Sequence, residues 1–502
     1  MKNYKLVLLL ISVLLISCKA SELEVDEQKS NEVLPTSAAK PLTESKFNSL
    51  NSEQQYQVAN KLAGTLYKGV PLSEFFDFSA NGSDYRLGDG RNYLSKTRAD
   101  LNVRVKNKSG YANVIDLRYR FNEVRKPTAL PLATIREFPI SRDLFEAWMA
   151  YTLANTILFS PAEEIDSSEY IDVHRVYSGL TKAMDEDASI RDIIFTHMKS
   201  QANWRRFRSP EDNTREMIEI YLGLFDKDED VPKASIACKN WYLKDGDGNY
   251  ELVIDELNEN AEPQFVLDQW VTSCEDFYQV IASHPLVIPR IVTYLVDRFF
   301  PNYSSEQRAA ITQDIVATNP VRFHDVFLAI LFSEEYLLNN ERPQSFEETF
   351  FNLAERVYWV HERGFLDDLT NPGSDSPNLH KMKQPAMALK LGRFKDQPLD
   401  SLSFAYYHSA VRERLLTKSN NNWGRWNDTF IREGDFFEED DFIHFLFMSI
   451  ISRKATTLEL TELKKVFIST ENETNRSEQA RIVFDYLSRL PELYYHDAVA
   501  GE

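Results

Sequence analysis

The chain has 502 residues, of which 43% are hydrophobic and 12% aromatic, so it can bury a large core spread over two or three structural units. Its 77 acidic and 57 basic side chains give a formal net charge of −20. This acidic excess argues against a nucleic-acid binder, which needs a basic surface. It fits an exported protein with a solubilising acidic surface, or a protein that handles cations.

Residues 1–17 have the pattern of a secretory signal peptide. Two lysines precede the apolar run LVLLLISVLLI at residues 6–16, which is too short to span a bilayer. The run ends in Leu-Ile-Ser-Cys, which resembles the lipobox of bacterial lipoproteins. We therefore predict cleavage before Cys18 and acylation of its thiol, with palmitate among the attached chains; an ordinary signal peptide is the alternative. Lys19, in place of Asp, favours the outer over the inner membrane of the cell envelope.

The next two segments are expected to differ in order. Residues 18–45 are polar with few large apolar side chains, which predicts a lipidated, disordered tether. Residues 46–140 form a mixed region, in which a helix begins at Asn51 or Ser52 as a cap. Residues 77–107 are rich in turn-forming residues and are predicted to be a loop.

From residue 141 onwards the apolar spacing becomes helical, which predicts a helical core over 141–360 and a C-terminal helical region over 361–502. The clearest start signal is Ser209 followed by Pro210. A loop is predicted over 365–380. The other predicted helices cover 141–159, 277–300, 305–319, 320–338, 346–361, 398–417, 440–453, 457–468 and 476–491. The fold class is therefore mainly α, a multi-helical globular body.

One segment, DGDGNYELVIDE at 245–256, fits two structures. A calcium loop would use the side chains of Asp245, Asp247, Asn249 and Glu256, at relative positions 1, 3, 5 and 12. Position 6 is Tyr250, however, where that loop requires glycine for its sharp turn. Two glycines between two runs of strand-forming residues favour a β-hairpin near 240–255, and this is our prediction. No cofactor is predicted, with calcium as the alternative.

Two cysteines remain after the predicted cleavage. Cys238 and Cys274 can form a disulfide in an oxidising compartment, or remain two separately buried thiols. There is no CxxC or CxxCH motif, so neither a zinc ribbon nor covalent haem is supported.

Two clusters suggest ligand binding. The first is the basic cluster beside a tryptophan, which could bind an anionic glycan or lipid group, or could pair with nearby acids. The second is NNNWGRWND, which could stack on sugar rings or form a packed loop. The residues concerned are Trp204, Arg205, Arg206 and Arg208 in the first cluster and Trp423 and Trp426 in the second.

Carboxylates on one predicted helix suggest acid–base chemistry. Glu216 and Glu219 are three residues apart and share a helical face, with Arg215 beside them. The structural alternative is that Arg215 and Glu219, four apart, form a surface pair. No HExxH, GxSxG, Walker or dinucleotide-binding motif is present in the sequence.

The segments SPEDNTREMIEIYLGLF and DKDEDVPKASIACKNW, at 209–241, resemble the signature of bacterial domain-of-unknown-function family 1800. That signature is an Asn-Glu-Asn-x-Ala-Arg-Glu-Leu-x-Glu-Leu helix, a Gly, an acidic entry to a second helix, and Gly-Trp. The matching positions are Glu211, Asn213, Arg215, Glu216, Glu219, Gly223, Asp230 and Trp241. Similar motifs in the same order extend the resemblance over roughly residues 140–360.

The resemblance implies an exported protein without an assigned reaction, so no catalytic residue carries over. It also implies a hairpin after Trp241, and an exported sulfatase- or phosphatase-like partner, since relatives are often encoded beside such proteins. The family's Trp-His-Asn-His-Phe is replaced by TLANTILF, and its His-Asp-x-Gly-x-Lys by DELNENAEP. These departures put in doubt any chemistry that those histidines perform.

The sequence leads to one hypothesis and one alternative. The hypothesis is a lipid-anchored envelope protein that binds or organises an exported partner or a surface polymer. The alternative is an envelope hydrolase acting on glycans with the carboxylates of the 211–219 helix.

Overall fold

The fold is mainly helical, as the sequence predicted. The computed structural model describes residues 39–77, 86–87, 92–119, 129–154, 156–158, 170–246, 249–260, 262–361, 365–370, 411–415, 424–425, 429–434 and 437–499. The signal peptide, Cys18 and the tether up to residue 38 lie outside these residues.

Twenty-one α-helices occur in the described ranges. They are α1 Glu44–Ser49, α2 Ser52–Thr65, α3 Tyr93–Asp100, α4 Lys108–Tyr119, α5 Ala129–Glu137, α6 Arg142–Ala154, α7 Tyr170–Asp185, α8 Ile190–Met198, α9 Gln201–Arg206, α10 Pro210–Leu222, α11 Val231–Ala237, α12 Cys274–Ser283, α13 Val287–Phe299, α14 Ser305–Ala317, α15 Phe323–Leu331, α16 Phe346–Arg356, α17 Phe365–Thr370, α18 Thr429–Glu433, α19 Glu439–Ile451, α20 Thr457–Ser469 and α21 Arg476–Leu487.

The strands form five antiparallel pairs in the described part of the chain. Each pair contains only two strands, so within the described residues the helices, and not a sheet, form the core. The pairs are β1 Phe76–Asp77 with β2 Arg86–Leu87, β3 Trp241–Gly246 with β4 Asn249–Ile254, β5 Gln264–Val266 with β6 Gln269–Val271, β7 Arg342–Pro343 with β10 Tyr495–His496, and β8 Val360–His361 with β9 Gly424–Arg425.

Side-chain caps explain why several helices begin where they do. Asn51 accepts from the backbone of Gln54 while the Gln54 side chain reaches back, which forms a capping box at the start of α2. Ser209 caps α10, whose first residue is Pro210, and Gly223 ends that helix with a positive φ of 69°. The helix predicted from Ser209 is therefore confirmed.

Several predicted boundaries were wrong for identifiable reasons. The helix predicted over 277–300 divides into α12 and α13 on either side of Pro285, which disfavours helical conformation at His284. The region predicted as loop contains α3, and the predicted 365–380 loop begins with α17. The predicted tether ends earlier than residue 45, because the Leu42 N–H bonds to the Phe332 carbonyl.

Aromatic side chains fill the centre of the helical body. Trp148 of α6 lies with its ring centroid 5.1 Å from that of Phe327 on α15 and 6.2 Å from that of Phe299 on α13. Tyr336 packs edge-on against Phe299 at 5.8 Å. These rings connect helices that are far apart in sequence, so a single aromatic core joins the first and second halves of the described body.

Among the described residues, no single helix has the length and hydropathy to cross a membrane. Helices α12 and α13 meet that criterion only when taken together, and a bend of 65° separates them.

Candidate functional site

The two central hairpins form one disulfide-closed segment, which we call the hairpin module, residues 239–273. Cys238 is the C-cap of α11, immediately before the module, and Cys274 begins α12 immediately after it. Their sulfur atoms are bonded at 2.05 Å, and both side chains are fully buried. The module is therefore a loop of two hairpins fixed at its base to two helices of the body.

The first hairpin is the β3–β4 pair, which confirms the hairpin predicted near 240–255. Its register pairs Asp245 with Tyr250 and Trp241 with Ile254. Glu256 lies two residues beyond Ile254, at the opposite end of the hairpin from Asp245. Four residues of strand separate the Asp245–Tyr250 pair from the Trp241–Ile254 pair, about 13 Å at about 3.3 Å per residue, and Glu256 lies beyond that. The register thus separates Asp245 from Glu256, and Asp247 lies outside the described residues.

The second hairpin, β5–β6, is not among the sequence predictions. Its two-residue turn consists of Leu267 and Asp268, whose φ values are 50° and 60°. Turns of this kind are recognised in sequences by Asn or Gly, since other residues rarely adopt positive φ. Leu267 occupies such a position with its side chain buried, and this burial offsets the backbone strain. The strand-forming residues Phe265, Val266, Trp270 and Val271, on either side of a short polar break, were the signal that could have revealed the hairpin.

The predicted basic cluster holds the first hairpin in place. Arg205 is buried and donates from Nε to the Tyr250 carbonyl at 2.6 Å, while the Arg208 guanidinium lies 5.7 Å from the Tyr250 ring centroid. Trp204 is completely buried and packs 5.7 Å from Trp241. These side chains position the module, and neither Trp204 nor Arg205 is an accessible ligand surface.

The module presents apolar side chains to solvent. Five of the fifteen exposed large hydrophobic residues in the described part of the chain lie between residues 241 and 270. Phe265 and Trp270 are cross-strand partners with ring centroids 5.1 Å apart, and their exposed fractions are 44% and 70%. The other three are Tyr242, Ile254 and Leu257. An exposed aromatic set of this density is typical of an interaction surface.

The same segment is strongly acidic. Between residues 241 and 270 the sequence carries eight carboxylates and one base, Lys244. The acids are Asp245, Asp247, Glu251, Asp255, Glu256, Glu259, Glu262 and Asp268. The apolar surface therefore lies in a field of negative charge that disfavours anionic ligands.

The predicted carboxylate helix, α10, contains one perturbed acid. Glu216 has its pKa raised to about 7, chiefly by burial and then by the neighbouring charges of Glu219 and Asp212. The positive charge of Arg206 opposes this rise in the pKa of Glu216. Burial, and then the same charge of Arg206, lower the pKa of His197 to about 4. The structure thus brings Glu216, Arg206 and His197 into one electrostatic neighbourhood.

Arg215 does not form the surface pair predicted for it. Its guanidinium bonds to Asp228 at 2.5 Å and lies 3.7 Å from Glu211, one turn earlier on α10. The loop after α10 brings Asp228 close, and sequence spacing along the helix could not show this. After burial, the charge of Glu219 contributes most to raising the pKa of Glu216.

The apolar pocket near this neighbourhood does not include the two carboxylates. Its free space is about 140 Å³, and it lies between α7, α8 and α9. His197, Gln201 and Leu180 are among its lining residues, whereas Glu216 and Glu219 are not. The described residues hold no cluster of three or more His, Cys, Asp or Glu side chains arranged for a metal ion.

The second predicted ligand cluster, Trp423 and Trp426, lies outside the described residues. The same is true of Cys18 and its predicted acylation. Acylation of Cys18 and ligand binding by Trp423 and Trp426 therefore stay predictions.

Comparison of the chain with known protein families, curated proteins and solved structures gave no match. The resemblance to domain-of-unknown-function family 1800 stays a prediction.

Proposed function

We propose that this protein is a lipid-anchored envelope protein that binds an exported partner protein through the hairpin module. The observation that carries the proposal is the exposed Phe265–Trp270 pair on the second hairpin of a module whose base is closed by a disulfide. Aromatic side chains held on a rigid support bind with a low cost in conformational entropy.

Charge complementarity defines the partner's chemistry. Eight carboxylates and one lysine surround the apolar side chains in sequence, so the complementary segment carries apolar residues flanked by Lys or Arg. Anionic lipid headgroups and nucleic acid have the wrong sign for this surface. The partner's basic side chains speed association, while Phe265 and Trp270 supply the buried contact.

The anchoring contacts support a preformed binding surface. Arg205 fixes the β4 backbone at Tyr250, and Trp241 at the start of β3 packs against Trp204 and Tyr278. The first hairpin is thus bound to α9 and α12. The second hairpin contributes Val266 and Val271 to the core, which leaves Phe265 and Trp270 on the outer side.

The test is capture of the partner by the native lipoprotein from solubilised envelopes. A Phe265→Ser/Trp270→Ser double variant is compared with Leu458→Ser. Leu458 lies on α20 and is 70% exposed, as Trp270 is. We expect wild type and Leu458→Ser to retain one stoichiometric protein, and the double variant to retain about tenfold less, a difference of about 1.4 kcal/mol. High salt should weaken the wild-type complex.

Three results contradict the proposal. The first is equal capture by the double variant and by Leu458→Ser. The second is a bound material that survives protease digestion, which would identify a surface polymer as the ligand. Failure to retain any protein also overturns it.

A second candidate function is hydrolysis of glycans, favoured by Glu216 alone. A carboxyl group with a pKa of about 7 is protonated in part at neutral pH and can serve as a general acid. The second carboxylate of that mechanism would be Glu219. A glycan screen with Glu216→Gln and Glu219→Gln tests it, and activity that persists in both variants excludes these residues.

A further inference from the structure

The apolar pocket between α7, α8 and α9 has a buried floor and an open mouth. Among its lining residues, Val176, Leu180, Ile193 and Ala202 are buried and form an apolar floor. Gly179, also in the lining, lies in the middle of α7 and is exposed. The free space of about 140 Å³ can therefore be reached from solvent.

Gly179 keeps this space empty. A Cβ built at Gly179 would meet no atom within 4 Å outside its own stretch of helix. A glycine inside a helix costs about 0.5–1 kcal/mol relative to alanine. Packing against the described body thus does not require a glycine at this position, and the missing side chain leaves the mouth of the apolar pocket open.

His197 is the polar side chain of the lining that is best able to bind a ligand. It lies on α8, is partly buried, and faces no hydrogen-bond partner within the described ranges. Its ring nitrogens are not sealed from solvent, so a molecule in the pocket can reach them. Two other polar lining residues are engaged: Ser200 Oγ accepts from the Asn203 N–H at 3.2 Å, and the Gln201 amide lies 3.4 Å from the Tyr250 carbonyl.

The surroundings of the apolar pocket disfavour a charge of either sign. Burial and then the charge of Arg206 lower the pKa of His197 to about 4, so the imidazole is neutral at pH 7. On the neighbouring α10, burial raises the pKa of Glu216 to about 7. A charged ligand would likewise lose its hydration against the apolar floor. Arg175 is exposed on the rim, where water and salt screen its charge.

We propose that the apolar pocket binds a small neutral phenol, a six-carbon ring that carries one hydroxyl group. A cavity of about 150 Å³ lined by apolar side chains holds benzene, so a free space of about 140 Å³ accepts a single ring. The open mouth leaves room for the oxygen beyond the ring.

The hydroxyl group of the ligand is assigned to His197. A neutral imidazole has one N–H donor and one nitrogen acceptor, and a phenolic O–H both donates and accepts. An apolar pocket with one convergent polar group is the usual composition of a small-molecule site. No described residue of the hairpin module lines the pocket, so this site is independent of the proposed partner surface.

The test is ligand-observed NMR on the full chain with phenol and toluene, which differ in a hydroxyl against a methyl group. Benzoate and benzylammonium serve as charged probes of similar size. Gly179→Leu places a side chain in the mouth of the pocket. Lys182→Leu places the same side chain on α7 outside the described lining, at a position where the lysine side chain is 75% exposed.

A third variant, His197→Phe, keeps a ring at this position and removes both nitrogens. Far-ultraviolet circular dichroism checks that each variant folds. Gly179→Leu replaces a glycine inside a helix by a better helix former without a clash, so it provides the test even if His197→Phe does not fold.

We expect phenol to bind the wild type and Lys182→Leu equally, and to bind Gly179→Leu at least about tenfold more weakly. In His197→Phe the affinity for phenol should fall about fivefold relative to that for toluene, because one hydrogen bond is lost. Both charged probes should bind the wild type more weakly than phenol does.

Four results would overturn the proposal. Two of them concern the pocket: no binding of phenol to the wild type, or unchanged binding in Gly179→Leu. The third is stronger binding of either charged probe than of phenol, which would show that the pocket selects an ion. The fourth is a phenol-to-toluene affinity ratio that is the same in His197→Phe as in the wild type, which would show that His197 does not recognise the hydroxyl group.

Discussion

The hairpin module differs from the junction of helices α2 and α16 with strands β7 and β10 in how the chain assembles it. The module is one segment whose ends are joined by a disulfide across 36 residues. The junction joins residues separated by 292 positions, as in the Asn352–Asn60 bond, and by 436, as in the Lys61–Asp497 bond. A local structure can change without altering the body, whereas a long-range one forms only with the entire fold. Substitutions at the junction should therefore reduce global stability, whereas in the module only those at its disulfide base and on its buried side should do so.

The largest effect is expected at Arg342, which lies at this junction on β7. Its buried guanidinium bonds to Glu348 at 2.9 Å and to Tyr336 Oη at 2.7 Å. Arg342→Ala leaves the Glu348 carboxylate buried without its cation, so we expect the free energy of unfolding to fall by about 3–5 kcal/mol. Urea denaturation of the wild type and of Arg342→Ala measures this difference in the free energy of unfolding.

Arg489→Ala is the control for this prediction. Arg489 forms an exposed pair with Asp485 at 2.7 Å, and such pairs contribute about 0–1 kcal/mol. A similar loss in the two variants would mean that the Arg342 network does not support the fold as described.

The second effect concerns the base of the module. Replacing Cys238 and Cys274 by serine removes the link across 36 residues, and we expect the free energy of unfolding to fall by about 2–4 kcal/mol. Dithiothreitol should lower the urea midpoint of the wild type and leave that of the double variant unchanged. A wild-type midpoint insensitive to the reductant would show that no disulfide stabilises the protein.

The third prediction is pH-dependent and concerns α10. Because the pKa of Glu216 is raised from 4.5 to about 7 in the folded state, the folded chain binds more protons than the unfolded chain between these values. Its contribution to stability therefore falls as the pH rises through that window. Glu216→Gln removes this penalty and should stabilise the protein by about 1–2 kcal/mol above pH 7, allowing for partial solvent screening, and by nothing near pH 4.

Glu211→Gln, on the exposed side of the same helix, is the matched control. It should show no comparable pH-dependent gain in urea denaturation between pH 4 and 8. A gain for Glu216→Gln that is the same at both pH values would contradict the raised pKa.

The same contrast between local and long-range structure explains what the sequence could predict. Ser209 and Pro210 mark the start of α10, and glycines mark the first hairpin, because these signals act within a few neighbouring residues. The second hairpin escaped prediction because Leu267 occupies a positive-φ position without a typical turn residue. The roles of Trp204 and Arg205 depend on Trp241 and Tyr250, which reach them only in the folded body. Asn60, Asn352 and His496 have no spacing that could connect them.

The smallest effect on stability is expected on the outer side of the module, and there it is the most informative. Phe265 and Val266 are adjacent in β5, yet Phe265 is exposed and Val266 is completely buried. Phe265→Ser should lower the free energy of unfolding by about 1 kcal/mol or less, since 44% of the residue stays exposed and its ring contacts Trp270 on the same outer side. Val266→Ser removes buried apolar surface and should cost about 2 kcal/mol.

Urea denaturation of the two single variants measures this difference. A large loss for Phe265→Ser would show that the Phe265–Trp270 pair is structural, which would remove the argument for a binding surface. A negligible loss, together with loss of partner capture by the Phe265→Ser/Trp270→Ser variant, separates binding from folding at this surface. Two aromatic rings that do not stabilise the fold but are required for capture then have binding as their physical role.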